Sequence, residues 1–348
     1  MFLAAAVCAG CLTGPAAAQQ TTQRFKASFL DVFDTYSEIT VYAADEASAQ
    51  TTLNKAHAEL LAYHRLYDIY HTYEGLNNLK TVNDNAGEAP VAVDARLIDL
   101  VRFAKEMENR TGGRMNIAMG SVLSIWHAYR TAGVDDPANA ALPPMADLAA
   151  ASAHTDIDKV VVDEAAGTLY LADPDLLLDV GAVAKGYAVE QVAQQMIAEG
   201  VTNALLSIGG NVRAIGAHGD GTSWRVSVQN PDLTAADQTI ATLDLRDLSL
   251  VTSGSYQRYY TVGGKTYHHI IDPDTLMPAE FVWAVSVVTV DSGIADALST
   301  ALFTLPIDRG RELLKAFPGT EALWVTLTGE LVRSDGFTSL SGEEGAAP

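Results

Sequence analysis

The chain has 348 residues, 48% hydrophobic and 19% charged, enough apolar surface for a sizeable core, which excludes a disordered chain. Acidic residues outnumber basic ones 43 to 22, for a formal charge of −21; such a surface repels nucleic acid, and no Lys/Arg cluster offsets it. A phosphate-bearing ligand would also be repelled at long range unless a metal ion or local cations answer the field.

The first charged residue is Arg24. Before it come an apolar run over 1–7, then Cys8-Ala9-Gly10-Cys11, then Pro15-Ala16-Ala17-Ala18-Gln19. The run is too short to span a bilayer and reads as a signal-peptide core within a leader of residues 1–23. Two cleavage sites compete. Ala9-Gly10-Cys11 has the small-small-Cys ending of a lipoprotein box, which would leave a lipidated Cys11 as the sole membrane contact. Ala16-Ala17-Ala18 is an A-x-A site, which would release a soluble periplasmic protein beginning at Gln19. Both readings predict export. Both cysteines lie in this leader, so the mature domain is expected to hold no internal disulfide, Cys-based zinc site or Cys nucleophile.

Residues 29–42 alternate around Ile39 and Val41 and read as a strand. Residues 47–70 place Leu53, Leu60, Tyr63 and Leu66 at helical spacing. The Asn-rich stretch 72–87 predicts an exposed loop, and 94–108 a second helix closed by Thr111-Gly112-Gly113. A surface loop over 134–144 precedes an Ala-rich helical stretch. Residues 160–162 and 168–171 form a hairpin-like pair, 176–179 a short strand running into Gly181, and 183–199 a helix. Strands follow at 203–208, 224–229, 240–245, 249–252 and 285–290, with a helix at 294–303. Helices lead and strands dominate later without regular alternation. That predicts an α+β fold of mixed or antiparallel sheets with flanking helices, not a doubly wound parallel sheet. No repeat or linker divides the chain, so 24–337 is expected to be one catalytic unit and 338–348 a flexible tail.

Four segments carry candidate chemistry. In Asp179-Val180-Gly181-Ala182-Val183-Ala184-Lys185-Gly186-Tyr187, a carboxylate and a turn glycine lead into a helix whose N-terminus favours anions, with Lys185 one turn in. Taken alone it reads more simply as a plain strand-turn-helix junction in which Asp179 caps the helix. Asp296 and Thr300 share a helical face, a carboxylate and a hydroxyl suited to a hard, oxygen-seeking cation such as Mg2+. The plainer alternative is a surface Asp beside a helix dipole, with Thr300 bonded back to its own helix. The residues around Asp296 are almost all apolar, so it is expected to be half buried and to need a partner. His268 and His269 are adjacent in a strand and must face opposite ways, so they do not chelate one metal together. Ser207-Ile208-Gly209-Gly210-Asn211 ends a strand in a glycine pair, which admits a ligand's approach or simply makes a turn.

In order and spacing these segments resemble the ApbE family, the FAD:protein FMN transferases. The resemblance rests on the Asp179-to-Ala188 motif, Gly209-Gly210-Asn211, Ser253-Gly254, His269-Ile270-Ile271-Asp272-Pro273 and the run from Ala295 to Thr300. Tyr67 through Asn83 resembles the family's flavin-contacting loop. Met115 to Val122, followed by Trp126, resembles a further family segment. Three departures stand out: Phe33-Asp34-Thr35 where the family has Met-Gly-Thr, Ser121-Val122 where it has Pro-Leu, and Thr275-Leu276-Met277-Pro278 where it has Thr-Gly-x-Pro.

The resemblance implies roles. Asp179, Lys185, His269 and Ile270 would contact FAD, with Phe33 at the altered Met position. Tyr73, Arg114, Met115 and Asn116 would line the flavin or adenine site. The Ala182 carbonyl, Asp296 and Thr300 would hold Mg2+. His269, with His268 as the alternative, would be the base that activates an acceptor hydroxyl. The acceptor would be a Thr or Ser of an exported flavoprotein subunit, and AMP would leave. The same residues also allow a Mg2+-dependent FAD pyrophosphatase, with water as the acceptor, or a non-enzymatic FAD-binding lipoprotein.

Overall fold

The computed structural model describes residues 22–340; the leader with Cys8, Cys11 and both cleavage sites, and the tail from 341, lie outside the described residues. The stretch expected to be one strand is a hairpin, β1 (Gln23–Val32) and β2 (Thr35–Ala43). Phe33 and Asp34 both take positive φ, 52° and 51°, the mirror-image two-residue turn that suits strand twist. Neither is Gly or Asn, so turn chemistry does not announce it.

Helix α1 (Glu46–Tyr67) starts at Asp45, which accepts the Ser48 N–H, and buries Leu53, Leu60, Tyr63 and Leu66. Helix α2 (Leu79–Asp84) occupies part of the expected loop, because Asn78 and Thr81 form a reciprocal capping box. After β3 (Val91–Ala92), α3 (Ala95–Thr111) runs from its Asp94 cap to left-handed Gly112, as the spacing predicts. Helix α4 (Gly120–Asp135) buries few side chains, Val122 and Trp126 among them, which is why no apolar stripe reveals it. Then come α5 (Met145–Ser152), β4 (Val160–Asp163), β5 (Thr168–Leu171) and α6 (Ala184–Ala198). The second half contains β6 (Ala204–Ile208), β7 (Asn211–Ile215), β8 (Trp224–Gln229), β9 (Thr239–Leu245) and β10 (Ser249–Gly254). It continues with β11 (Tyr259–Val262), β12 (Lys265–His268), β13 (Val282–Thr289) and α7 (Ser292–Phe303). It closes with α8 (Ile307–Leu314), β14 (Glu321–Thr326) and β15 (Leu331–Arg333).

Eight strands form one sheet in the order β1-β2-β6-β7-β10-β13-β14-β15, each neighbour antiparallel. This is the α+β fold expected. Alternation along the strands splits the side chains between two layers. Ile215, Val251 and Val285 join the large core under α1, α6 and α7. Val212, Ala214, Leu250 and Val288 turn the other way, onto Trp224, Leu243 and Leu245 of the β8–β9 hairpin and onto Phe337. The short turn Phe337–Leu340 overlaps the start of the tail expected from 338. A third cluster joins Trp126 and Leu148 of α4 and α5 to Tyr260 and Ile271 around β11–β12. No helix among the described residues is long and apolar enough to cross a membrane.

The expected strand at 176–179 is not one. The segment has no regular structure and pairs with no strand. Instead the Asn83 side chain donates to Leu178 O (2.9 Å) and accepts Leu178 N–H (2.8 Å), while Asp179 N–H donates to Ile117 O at 2.8 Å. One amide does the work of a neighbouring strand. Asn83→Ala leaves two backbone groups of Leu178 without partners and is expected to cost about 1–3 kcal/mol. A lower denaturation midpoint at unchanged m-value measures it; an unchanged midpoint contradicts it.

Candidate active site

The site forms where α6 and α7 cross. Asp179, 9% exposed, accepts the Gly181 N–H through Oδ1 at 2.8 Å, which folds the chain over into α6. It is not the helix cap: that position is Val183, which makes no side-chain cap bond. Gly186 is the third residue of α6, so its N–H is one of the donors that a helix start leaves without an intrahelical partner. It donates to Asp296 Oδ2 at 2.8 Å, and among the described residues no backbone N–H donates to Ala182 O. Only glycine permits this approach. A Cβ on residue 186 would lie 2.2 Å from Ser292 O and 2.4 Å from Asp296 Cβ.

Asp296 is 4% exposed, deeper than the half burial expected. Burial pushes its carboxyl above the ordinary range, opposed by Lys185, the Gly186 N–H and the Asn211 amide beside it. The Asn211 Nδ2 is itself buried without a hydrogen bond. Ser299 and Thr304 spend their hydroxyls on the helix carbonyls of Asp296 and Ala301 (2.9 and 3.0 Å); half-buried Thr300, one turn beyond Asp296, is not so engaged. The site therefore collects a buried carboxylate, a hydroxyl and an unclaimed carbonyl. All are oxygen donors, and the carboxylate lacks a full countercharge, so the set fits a hard divalent cation such as Mg2+. His154, Asp173 and Asp175 also place ligand atoms within 4.8 Å of one another. The His154–Asp173 ion pair at 2.9 Å accounts for that cluster, which shares no residue with the α6–α7 junction.

The two histidines have opposite fates. His268 Nε2 lies 2.8 Å from Ala279 O, and Nδ1 accepts the Ile270 N–H at 3.2 Å. A carbonyl only accepts, so His268 carries its proton on Nε2 and both nitrogens are occupied. Its ring packs edge-on against Phe303 at 5.4 Å. His268 is structural. His269 lies just past β12, half-buried, with Nδ1 3.3 Å from Arg258 O. The same reasoning puts its proton on Nδ1 and leaves Nε2 bare. Burial, then Arg258, His268 and Arg130, push its pKa down to about 3. It is neutral at physiological pH.

Several residues expected to contact ligand have their side chains engaged elsewhere. Arg114 is ion-paired to Asp272 (3.1 Å) and to Asp274, pinning the turn after His269. Met115 is fully buried in the core. Asn116 caps a short helical turn through Ala118 N (2.8 Å) and donates to Thr155 O (2.9 Å). Ile270 is 7% exposed and pairs its carbonyl with Ala279 N. Tyr73 donates to Asp68 Oδ2 at 2.8 Å, and burial together with that bond raises it to about 12. Phe33, in its left-handed conformation, donates its N–H to His64 Nδ1 at 3.1 Å. Its turn sits over the Gly209–Gly210 hairpin turn: a Cβ on Gly209 would lie 2.6 Å from Thr35 Cγ2. That glycine pair is the β6–β7 turn, both residues at positive φ.

A cavity of about 310 Å3 opens beside Asp179, lined also by Tyr70, Lys80, Asn83, Gly120 and His127. Tyr70 rather than Tyr73 reaches it, and its hydroxyl lies 3.1 Å from His127 Nδ1. Burial pushes His127 down; Asp179 opposes this, and Arg130 and Arg258 add to it. Neither arginine is in an ion pair among the described residues. His127 and Arg130 are the functional candidates that sequence reasoning misses. Their one signal is i, i+3 spacing directly after Trp126, legible only once α4 is known to be a helix.

The fold defines an α+β class with solved members. It is similar to the ApbE protein of Thermotoga maritima, with a TM-score of 0.80 and 27% identity over 92% of this chain and 100% of that one. It also has the fold of the flavin transferase ApbE from Vibrio cholerae (TM-score 0.74, 22% identity, 92% and 99% covered). The ApbE family model matches residues 33–324, and the chain belongs to the ApbE family. It is 36% identical over 261 residues to the FAD:protein FMN transferase of Treponema pallidum, covering 71% of this chain and 70% of that one. With the FAD:protein FMN transferase of Klebsiella pneumoniae it shares 30% over 291 residues, 80% of this chain and 86% of the other. Like them it is an enzyme of the transferase class.

His269 is expected to show no protonation step in its imidazole NMR signals between about pH 5 and 8, because its folded pKa lies far below the usual histidine value. Arg258→Ala removes one of the charges that depress it and shifts the midpoint upward. A midpoint near that of a free histidine in the unaltered protein contradicts this environment.

Proposed function

We propose that this chain is a Mg2+-dependent FAD:protein FMN transferase that moves the FMN half of FAD onto a Thr or Ser hydroxyl of an acceptor flavoprotein. The observation that supports the reading is the Gly186–Asp296 contact, which joins the start of α6, just after the Ala182 carbonyl that accepts no backbone N–H, to the helix that carries Asp296 and Thr300. These three would hold the ion, which when bound supplies charge neutralisation at the pyrophosphate. Lys185 adds positive charge from α6, and the Asp179–Gly181 turn orients the dinucleotide next to the cavity. The backbone of Arg114–Asn116, rather than the engaged side chains, is what that segment has left to offer a ligand. His269 Nε2 accepts the acceptor hydroxyl's proton as its oxygen attacks the FMN phosphorus. The new O–P bond forms, the P–O bond to AMP breaks, and AMP leaves with the electron pair. Arg130 and Arg258, in no ion pair among the described residues, give the site a local cationic character within an anionic protein.

Incubation with FAD, Mg2+ and an acceptor domain is expected to yield FMN covalently bound to that domain, and Asp296→Ala to lose transfer by at least about a hundredfold. Free FMN without protein adduct would make the enzyme a pyrophosphatase. FAD binding without turnover at any Mg2+ concentration would make it a binding protein. Near-unchanged activity of Asp296→Ala contradicts the metal site.

Linkage gives a second check. Because the folded-state pKa of Asp296 is raised, its ionised form costs stability at neutral pH, and that cost is relieved as pH falls and a proton binds. Mg2+ is therefore expected to raise Tm at neutral pH and to do so less under mildly acidic conditions, where protons compete. An equal gain at both contradicts it.

The leader sequence supports export, with lipid on Cys11 or cleavage after Ala18. The mass of the mature N-terminus is expected to show one of these two ends; an uncleaved leader contradicts export by this route.

A further inference from the structure

Glu190 lies on α6 one turn beyond Gly186 and is 4% exposed. Its Oε2 accepts from Arg213 Nε on β7 at 3.0 Å and from Ser292 N–H at 2.9 Å; its Oε1 accepts from Gln194 Nε2 at 2.6 Å. Arg213, likewise 4% exposed, also donates to Ala214 O at 2.6 Å. A buried pair of this kind is a poor source of net stability, because desolvation offsets the attraction, so its placement needs another reason.

Ser292 is the first residue of α7, and its N–H is one of the donors a helix start leaves unsatisfied. Glu190 takes that donor. Four residues earlier on α6, Gly186 donates to Asp296, four residues later on α7. The helices are thus gripped at two points, Gly186–Asp296 and Glu190–Ser292, each one helical turn from the other. Two contacts one turn apart define the register of α7 against α6 more closely than either alone.

We propose that Glu190, anchored by Arg213, is a positioning residue for the divalent-ion site: it locks the register of α7 against α6 and so sets Asp296 and Thr300 against the Ala182 carbonyl. This rests on the metal reading given above. Arg213 supplies the countercharge and ties the clamp to the central sheet; the Ser292 bond does the positioning.

The test is Mn2+ titration of the full chain, free Mn2+ being read by EPR, with Tm recorded alongside. Ser292→Pro deletes the donated N–H at the first helical position, where proline is tolerated, and Asp291 before it has the extended backbone that proline requires (φ −115°, ψ 121°). It is expected to weaken Mn2+ binding about tenfold, as loss of an outer-shell contact does. Glu190→Leu with Arg213→Met removes the pair and the acceptor together and is expected to weaken binding similarly. Glu190→Gln with Arg213→Met restores an acceptor for Ser292 without charge and is expected to recover most of the affinity. Wild-type affinity in both Ser292→Pro and the Leu/Met pair overturns the role, as does equal weakness of the Gln/Met and Leu/Met pairs, which would assign the effect to charge or packing. If either variant fails to fold, the other decides. A wild-type chain that binds no Mn2+ overturns the metal reading itself, and this role with it.

Discussion

One hydrogen bond between two helices organises this protein. The Gly186 N–H, a donor left free at the start of α6, goes to Asp296 on α7. The contact demands glycine, since any side chain would enter the backbone of α7, and it buries a carboxylate to 4% exposure. The Ala182 carbonyl, just before α6, accepts no backbone N–H among the described residues. Close packing and a buried charge short of countercharge follow from this one contact.

The central sheet supplies the rigidity behind this junction. The strand pleat makes successive residues of β7 face opposite layers, so Arg213 reaches α6 while Val212 and Ala214 pack on the β8–β9 hairpin. Residues 253 and 254 of β10 pair with β13 beyond the last β7 partner, and Ser253 bonds Ser299 of α7 at 2.7 Å. The turns at Phe33–Asp34 and Gly209–Gly210 crowd together nearby, both held in left-handed conformations. Backbone strain at a bulky residue such as Phe33 persists only where its surroundings over-determine it. Here the His64 bond and the neighbouring turn do so.

Charge is handled locally. A chain with a formal charge of −21 keeps Lys185, Arg130 and Arg258 close to its buried carboxylates and imidazoles. The fields of Arg130 and Arg258 reach His127 and His269 in places where burial already disfavours a further positive charge. His269 is thereby kept neutral, with one nitrogen lone pair uncommitted.

Much was legible in the linear sequence because it depended on near neighbours. The α+β class, α1, α3, α6 and α7, and the shared helical face of Asp296 and Thr300 all follow from spacing and alternation, which are local geometry. The α6–α7 motifs were also readable as candidates. What the sequence could not contain was which groups were already spent. Arg114, Asn116, Tyr73 and His268 carry the same chemistry as free ligands, and only their tertiary partners Asp272, Thr155, Asp68 and Ala279 occupy them. The pseudo-strand at 176–179, the helix at Leu79–Asp84, and the cavity residues Tyr70, His127 and Arg130 were decided the same way. Hydrogen bonds and charges act through space, and residues 95 positions apart, such as Asn83 and Leu178, become neighbours only when the chain has folded.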